Sequence, residues 1–206
     1  TPPHLIVRAR AGTGKTTTLV EGLKVVRGIA PTITPSEQQA AVWAELEKSK
    51  GCGSVQFVAF NKSIATELQQ RIPAGCTAST MHSMGYKAVQ SALGRQQPNE
   101  WVVADAIADA LGGDVRDLKR KHPVLFPAVE KLVSLCKMNL TGLDRLRGDG
   151  ATADPADWED DLDTLAGHYE VELNGSKQRV YELVPLILQR CLDPRGKITF
   201  DDMIWL

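Results

Sequence analysis

Residues 9–16 read Ala-Arg-Ala-Gly-Thr-Gly-Lys-Thr and stand between a short apolar run, Leu5, Ile6 and Val7, and a stretch with helical periodicity. A glycine-rich turn that ends in Lys-Thr constrains the fold more than any other feature here. It works only where a strand delivers the chain to the turn and a helix begins as the turn closes. The spacing is that of a phosphate-binding loop with Ala9 in place of the first glycine. Gly12 and Gly14 let the backbone N–H groups of residues 11–16 wrap an anion, and Lys15 reaches its terminal oxygens. Thr16 is the expected Mg²⁺ ligand. A helix over residues 15–26 would aim its positive end at the same phosphate. The expected nucleotide contacts are therefore Ala11, Gly12, Thr13, Gly14, Lys15, Thr16 and Thr17, with Lys15 and Thr16 as the catalytic pair. The hydroxyls of Thr13 and Thr17 either approach the phosphate oxygens or cap the helix.

The pattern around the loop is that of a parallel α/β protein. An apolar strand is expected at residues 5–8 and another at 55–60, with a brief third near 77–79. Thr34-Pro35-Ser36-Glu37 reads as a capping box with Pro at the first helical position, opening a helix that continues through Ala40, Ala41, Trp43, Ala44 and Leu46. Ile64, Ala65, Leu68 and Ile72 repeat at helical spacing until Pro73 stops the pattern. A further helix follows residues 80–83 and runs to about residue 93. From residue 94 to 192 the character changes to helices and polar loops, with helices expected at 100–111, 124–138, 157–169 and 176–192 and no strand. Pro185 should kink or split the last of these. Residues 94–97 and 140–155 are the expected flexible connections. Residues 193–206 then turn back toward the core, with 198–200 extended.

Composition narrows the classes. The chain has 206 residues, of which 43% are hydrophobic, enough for one domain with a sizeable insertion. No run approaches the roughly 20 apolar residues of a membrane span, and the first residues carry no signal-peptide pattern, so no membrane partner and a cytoplasmic location are expected. Cys52, Cys76, Cys136 and Cys191 are scattered, as are the four histidines, which argues against a zinc site. A net charge of −1 gives no basic field, so contact with nucleic acid must come from local clusters. The missing initiating Met and the apolar end, Ile204-Trp205-Leu206, suggest a fragment of a longer protein.

Several motifs then line up in order, and together they resemble the N-terminal part of UvrD/Rep-type superfamily 1 DNA helicases. Residues 9–16 resemble that family's first motif. Val58-Ala59-Phe60-Asn61-Lys62 resembles its strand end that contacts single-stranded DNA, and Thr80-Met81-His82-Ser83 its Thr-Phe-His-Ser segment. Ile198-Thr199-Phe200-Asp201-Asp202-Met203 is similar to the stretch before the acidic Walker B strand. The resemblance implies a RecA-like P-loop NTPase core with a parallel sheet, interrupted by an all-helical subdomain. Residues 1–93 would be the first part of the ATP-binding domain 1A, 94–192 the helical 1B insertion, and 193–206 a return to 1A that stops before Walker B. It implies ATP and Mg²⁺ as cofactors and single-stranded or partly duplex DNA as partner, with unidentified loading, repair or replication proteins beyond that.

Residue by residue, the resemblance carries DNA contact to Phe60, Asn61, Lys62, Thr80 and His82. Phe60 would stack and Lys62 pair with a backbone phosphate. Read without the family, Phe60 is a core side chain, Asn61 a helix cap, and His82 a cap or core residue. Departures are Arg10, where the family more often has Gly, and Met81 in place of Phe. The family's acidic pair and second RecA-like domain have no counterpart, so this chain alone is expected to bind nucleotide and DNA weakly and not to unwind. The adenine-contacting Gln that precedes the loop in the family has no match; Gln38 and Gln39 follow the loop and read as ordinary helix residues. Lys119-Arg120-Lys121-His122 reads as a solvated charged face, and the acids at 157–163 as a helix start. Two rivals remain: a P-loop phosphotransferase acting on a small metabolite, and a non-catalytic nucleic-acid-binding domain that keeps the loop as a relic.

Overall fold

Lys15 opens the first helix, α1 (Lys15–Val26), in a computed structural model that describes residues 6–48, 53–147, 154–194 and 196–206. The chain forms two units, Thr1–Met81 and His82–Leu206. In the first, α1 is followed by α2 (Glu37–Glu47), β1 (Val55–Ala59), α3 (Lys62–Arg71) and β2 (Cys76–Thr80). The strands pair in parallel, from Val55 with Cys76 to Ala59 with Thr80, and α3 is the crossover between them. Apolar residues at helical spacing on α1 (Val20, Leu23) and α3 (Ala65, Leu68, Ile72) join Ala59 and Cys76 in one core.

Helix α2 lies against α1. The indole of Trp43 is buried and donates to the Thr18 carbonyl at 2.8 Å. Gly22 permits the approach, since a Cβ there would fall 2.5 Å from Trp43 Cδ1. The capping box is real but starts two residues later than expected. Ser36 is the N-cap, its hydroxyl accepting from the Gln39 N–H at 3.3 Å, while the Gln39 side-chain oxygen accepts from the Ser36 N–H at 3.0 Å.

Of the strand expected at residues 5–8, the described residues 6–8 form none. Leu5 lies outside the described residues; residues 6–10 have no regular structure, and Ile6 is 76% exposed. The sheet of this unit pairs β1 with β2, and residues 6–8 join neither. The described sheet therefore has two strands in place of the expected three.

The second unit is mostly helical: α4 (Met81–Leu93), α5 (Val102–Leu111), α6 (Val115–Lys121), α7 (Leu125–Asn139), α8 (Leu143–Leu146), a 3₁₀ turn (Pro155–Trp158), α9 (Glu159–His168), α10 (Lys177–Cys191) and α11 (Asp202–Trp205). Its core centres on α7 and α10, where Phe126, Val129, Leu132, Val184 and Ile187 are fully buried. Pro185 sits inside α10 without dividing it; the flanking buried residues hold the helix through the missing N–H. The short helices α6 and α8 were not expected. Nor was the parallel pairing of β3 (Gln97–Pro98) with β4 (Lys197–Ile198). That pairing fixes the connection at 94–97, where the Gln96 carbonyl also accepts from Tyr86 Oη at 2.8 Å and Gln90 Nε2 at 2.7 Å. Of the second expected connection, residues 148–153 lie outside the described residues.

Among the described residues one ion pair is buried completely. Lys137 of α7 meets Asp202 of α11 at 2.7 Å, with side chains 0% and 1% exposed. The other Asp202 oxygen accepts from the Thr199 N–H and hydroxyl, each at 2.8 Å.

Candidate functional site

The glycine-rich loop passes twice through left-handed backbone, at Gly12 (φ 76°) and Gly14 (φ 77°). A Cβ at either would meet nothing within 4 Å, so it is the backbone conformation, not crowding, that asks for glycine. Gly14 is also the N-cap of α1 and supplies no side-chain acceptor, leaving the N–H groups of the first turn for an anion. Lys15 folds back over the loop and donates to the carbonyls of Ala9 at 2.8 Å and Arg10 at 2.7 Å. Thr16 and Ala11 are exposed beside it.

Neither Thr13 nor Thr17 caps α1. The Thr13 hydroxyl donates to the Arg10 carbonyl at 2.7 Å, tightening the turn, and the Thr17 hydroxyl accepts from Arg71 Nη2 at 3.1 Å. Thr18 is buried; its hydroxyl donates to the Gly14 carbonyl at 3.0 Å and accepts from Gln39 Nε2 at 2.9 Å. The loop is therefore braced from behind by α2.

That bracing opens a cleft of about 690 Å³ beside the loop. Its lining includes Arg8, Arg10 and Lys15 together with Ser36, Gln38 and Gln39 at the start of α2. Its size and its mixed polar lining suit a small-molecule ligand. Gln39 reaches the cleft from the capping box and holds the Thr18 hydroxyl, and Gln38 is exposed beside it. The capping box expected at residues 34–37 marked the approximate start of α2 but not the side on which it packs.

The parallel pairing of β1 and β2 brings their carboxyl ends to one edge, where parallel sheets present ligand-binding residues. Thr80 closes β2, and Phe60, Asn61 and Lys62 follow β1. Phe60 is 96% exposed and so is not a core side chain. Asn61 does cap a helix: its Oδ1 accepts from the Ile64 N–H at 2.9 Å. Lys62 is exposed at the first position of α3.

In the second unit His82 is exposed in the first turn of α4, which excludes a core role. Its ring meets that of Phe200 edge-on, centroids 6.2 Å apart, and Phe200 is 50% exposed. Phe200 was not among the expected site residues, although it lies in a motif that carried the resemblance. The basic run behaves as a charged face: Lys119 pairs with Glu130 at 3.0 Å and Arg120 with Asp117 at 3.0 Å. Glu159, Asp160 and Asp161 occupy the first turn of α9. Asp163 is held below the usual carboxylate range by Lys177 and by the Tyr181 hydroxyl.

The class is first that of a mixed helix-and-sheet protein with a glycine-rich loop at a helix start and a large helical unit. The model of the UvrD/REP helicase N-terminal domain matches residues 2–204, and the chain belongs to that family. Comparison with curated proteins and with solved structures gives no match. No helix among the described residues is long and apolar enough to cross a membrane.

Proposed function

We propose that the chain is the nucleotide-binding part of an ATP-dependent translocase that moves along single-stranded DNA. The observation that carries this reading is the loop itself. Two left-handed glycines, an uncapped helix start and a lysine held over the loop carbonyls form a cradle whose donors all suit an anion. In this reading residues 1–93 and 193–206 belong to a RecA-like domain 1A and residues 94–192 to a helical 1B insertion.

The donor set fits ATP with Mg²⁺. Thr16 would hold the metal, which neutralises charge on the terminal phosphates. Lys15 leaves the Ala9 and Arg10 carbonyls for the phosphate oxygens and stabilises charge as it develops on the transferred group. The N–H groups of residues 11–16 orient the phosphates, with Thr13 holding the turn and Thr17 near the same oxygens. The nucleoside occupies the cleft between residues 8–10 and α2, where Gln38 offers an amide to the base. Phe60 stacks on a base and Lys62 pairs with a phosphate of the strand. Thr80 stands at the same sheet edge as these two, and Asn61 fixes the turn that presents them. His82, with Phe200 against its edge, supplies a second aromatic surface.

The test is ATP hydrolysis, with and without single-stranded DNA, by the protein that carries this chain, with Lys15→Ala as control. DNA-stimulated turnover that vanishes in the variant is expected. Turnover indifferent to DNA would replace this reading with a small-molecule phosphotransferase, and no turnover with a binding domain.

A further inference from the structure

Helix α3 joins the two places just described in the first unit. Asn61 caps its first turn beside Phe60 and Lys62, and Arg71 closes its last. The Arg71 guanidinium is held at both ends. Nη1 donates to Glu67 Oε1 at 3.0 Å, one turn back on the same helix, and Nη2 donates to Thr17 Oγ1 on α1 at 3.1 Å. Glu67 fixes the plane of the fork and so aims the second amine at Thr17. Thr17 is the residue after Thr16 and two after Lys15.

α1 and α3 also share an apolar core, but apolar packing is non-directional and tolerates sliding. The charge-assisted bond from Arg71 to Thr17 is directional. A phosphate seated at the start of α1 places negative charge close to this guanidinium, and attraction between them acts on the end of α3. A helix of this length transmits a shift at Arg71 to its other end about 15 Å away, because its rise per residue is fixed.

We propose that Arg71 is a positioning residue that couples occupancy of the phosphate-binding loop to affinity for a nucleic-acid strand at Phe60, Asn61 and Lys62. The proposal rests on the function proposed above. It competes with a plainer account in which Glu67 and Arg71 form an ordinary exposed helix pair, which would contribute little to anything.

Coupling is reciprocal and is read as a ratio of affinities, which a merely structural role would not move. The chain and its Arg71→Ala and Arg71→Lys variants are titrated into a fluorescein-labelled oligothymidylate, with and without Mg²⁺ and a non-hydrolysable ATP analogue. Circular dichroism melting checks each fold. In the unaltered chain the analogue should change strand affinity by about five-fold or more, within the usual range of coupling. Arg71→Ala should bring that ratio to within about two-fold of unity and leave the melting curve and the strand affinity without nucleotide close to unaltered, while the affinity for the analogue falls with the lost attraction. Arg71→Lys, with one donor group in place of a fork, should fall between. Unaltered coupling in Arg71→Ala, or two bound ligands with no coupling in the unaltered chain, would overturn the proposal. A chain that fails to bind the analogue, the strand or both would instead overturn the function on which it rests.

Discussion

Gly85 on α4 offers a perturbation whose sign separates two accounts. A Cβ built there falls 1.5 Å from the Met203 carbonyl oxygen and 2.6 Å from its carbon. Both are backbone atoms, so no rotamer change relieves the overlap. Ordinary contact begins at about 3.4 Å, and Gly85→Ala must therefore push α4 and residues 203–204 apart by close to 2 Å. The cluster that lies there contains Val89, Ile198 and Met203, each no more than 5% exposed. Full burial of such side chains is worth about 1.5–3 kcal/mol apiece, and losing roughly half of it across three residues costs about 3 kcal/mol. Replacing a helix-interior glycine by alanine returns about 1 kcal/mol of helix propensity. The net is a destabilisation of about 2 kcal/mol. Urea unfolding followed by tryptophan fluorescence measures it, since Trp205 is buried in the neighbouring helix α11. A variant as stable as the parent, or more stable, would show that propensity governs this position and that the close approach carries no weight. The same displacement would separate His82 from Phe200, so strand affinity should fall along with stability.

Lys15→Ala should abolish binding of Mg²⁺-ATP, measured by calorimetry, while leaving the melting temperature nearly unaltered because the side chain contacts only loop carbonyls. Gly14→Ala places a Cβ in left-handed backbone, at a cost of about 1–2 kcal/mol, and should weaken nucleotide binding at least about ten-fold because relief of the strain moves the first N–H groups. Lys137→Met leaves Asp202 buried without its cation and should destabilise the second unit by about 3–5 kcal/mol in urea, far more than any exposed pair. Glu21 is buried and held below the usual carboxylate range by Lys24 and by the Thr32 N–H. Because its folded pKa is depressed, its stabilisation is complete above the unfolded value of about 4.3 and is lost as pH falls through the folded one. The melting-temperature gap between the parent and Glu21→Gln should therefore close in acid.

What could be read in the chain beforehand follows the range of the interactions involved. The span of α1 is fixed by a loop formula and the helix it must open, all within a few residues, and residues 15–26 match it. The long helices of the second unit follow from apolar periodicity. The start of α2 moved because Thr34 and Ser36 both suit an N-cap, and the choice between them lies in whether Glu37 or Gln39 returns to the backbone. The β3–β4 pairing joins two residues near 97 to two near 197, and a contact of that span leaves no local pattern. Phe60 read as the last residue of an apolar run, whereas β1 ends one residue earlier and leaves the ring in solvent. Gln38, Gln39 and Arg71 owe their positions to packing on α1, which no spacing along the chain encodes.

The arrangement around α1 shows how a binding site can be left open without loss of the fold. A helix start ordinarily gains stability from a side-chain cap, and a capped start has fewer donors for an anion. Gly14 adopts its left-handed backbone without strain but gives up that cap, so the stability lost at the helix start must be offset by surrounding structure. The offset comes one turn later and from another helix. Thr18 returns a hydrogen bond to the Gly14 carbonyl, Gln39 holds the Thr18 hydroxyl, and Trp43 holds the Thr18 carbonyl. These three contacts leave the loop N–H groups untouched, so α2 can brace the loop and wall the cleft with the same face. Had Thr13 or Thr17 capped α1, the helix would need less support, and the first-turn donors would already be engaged.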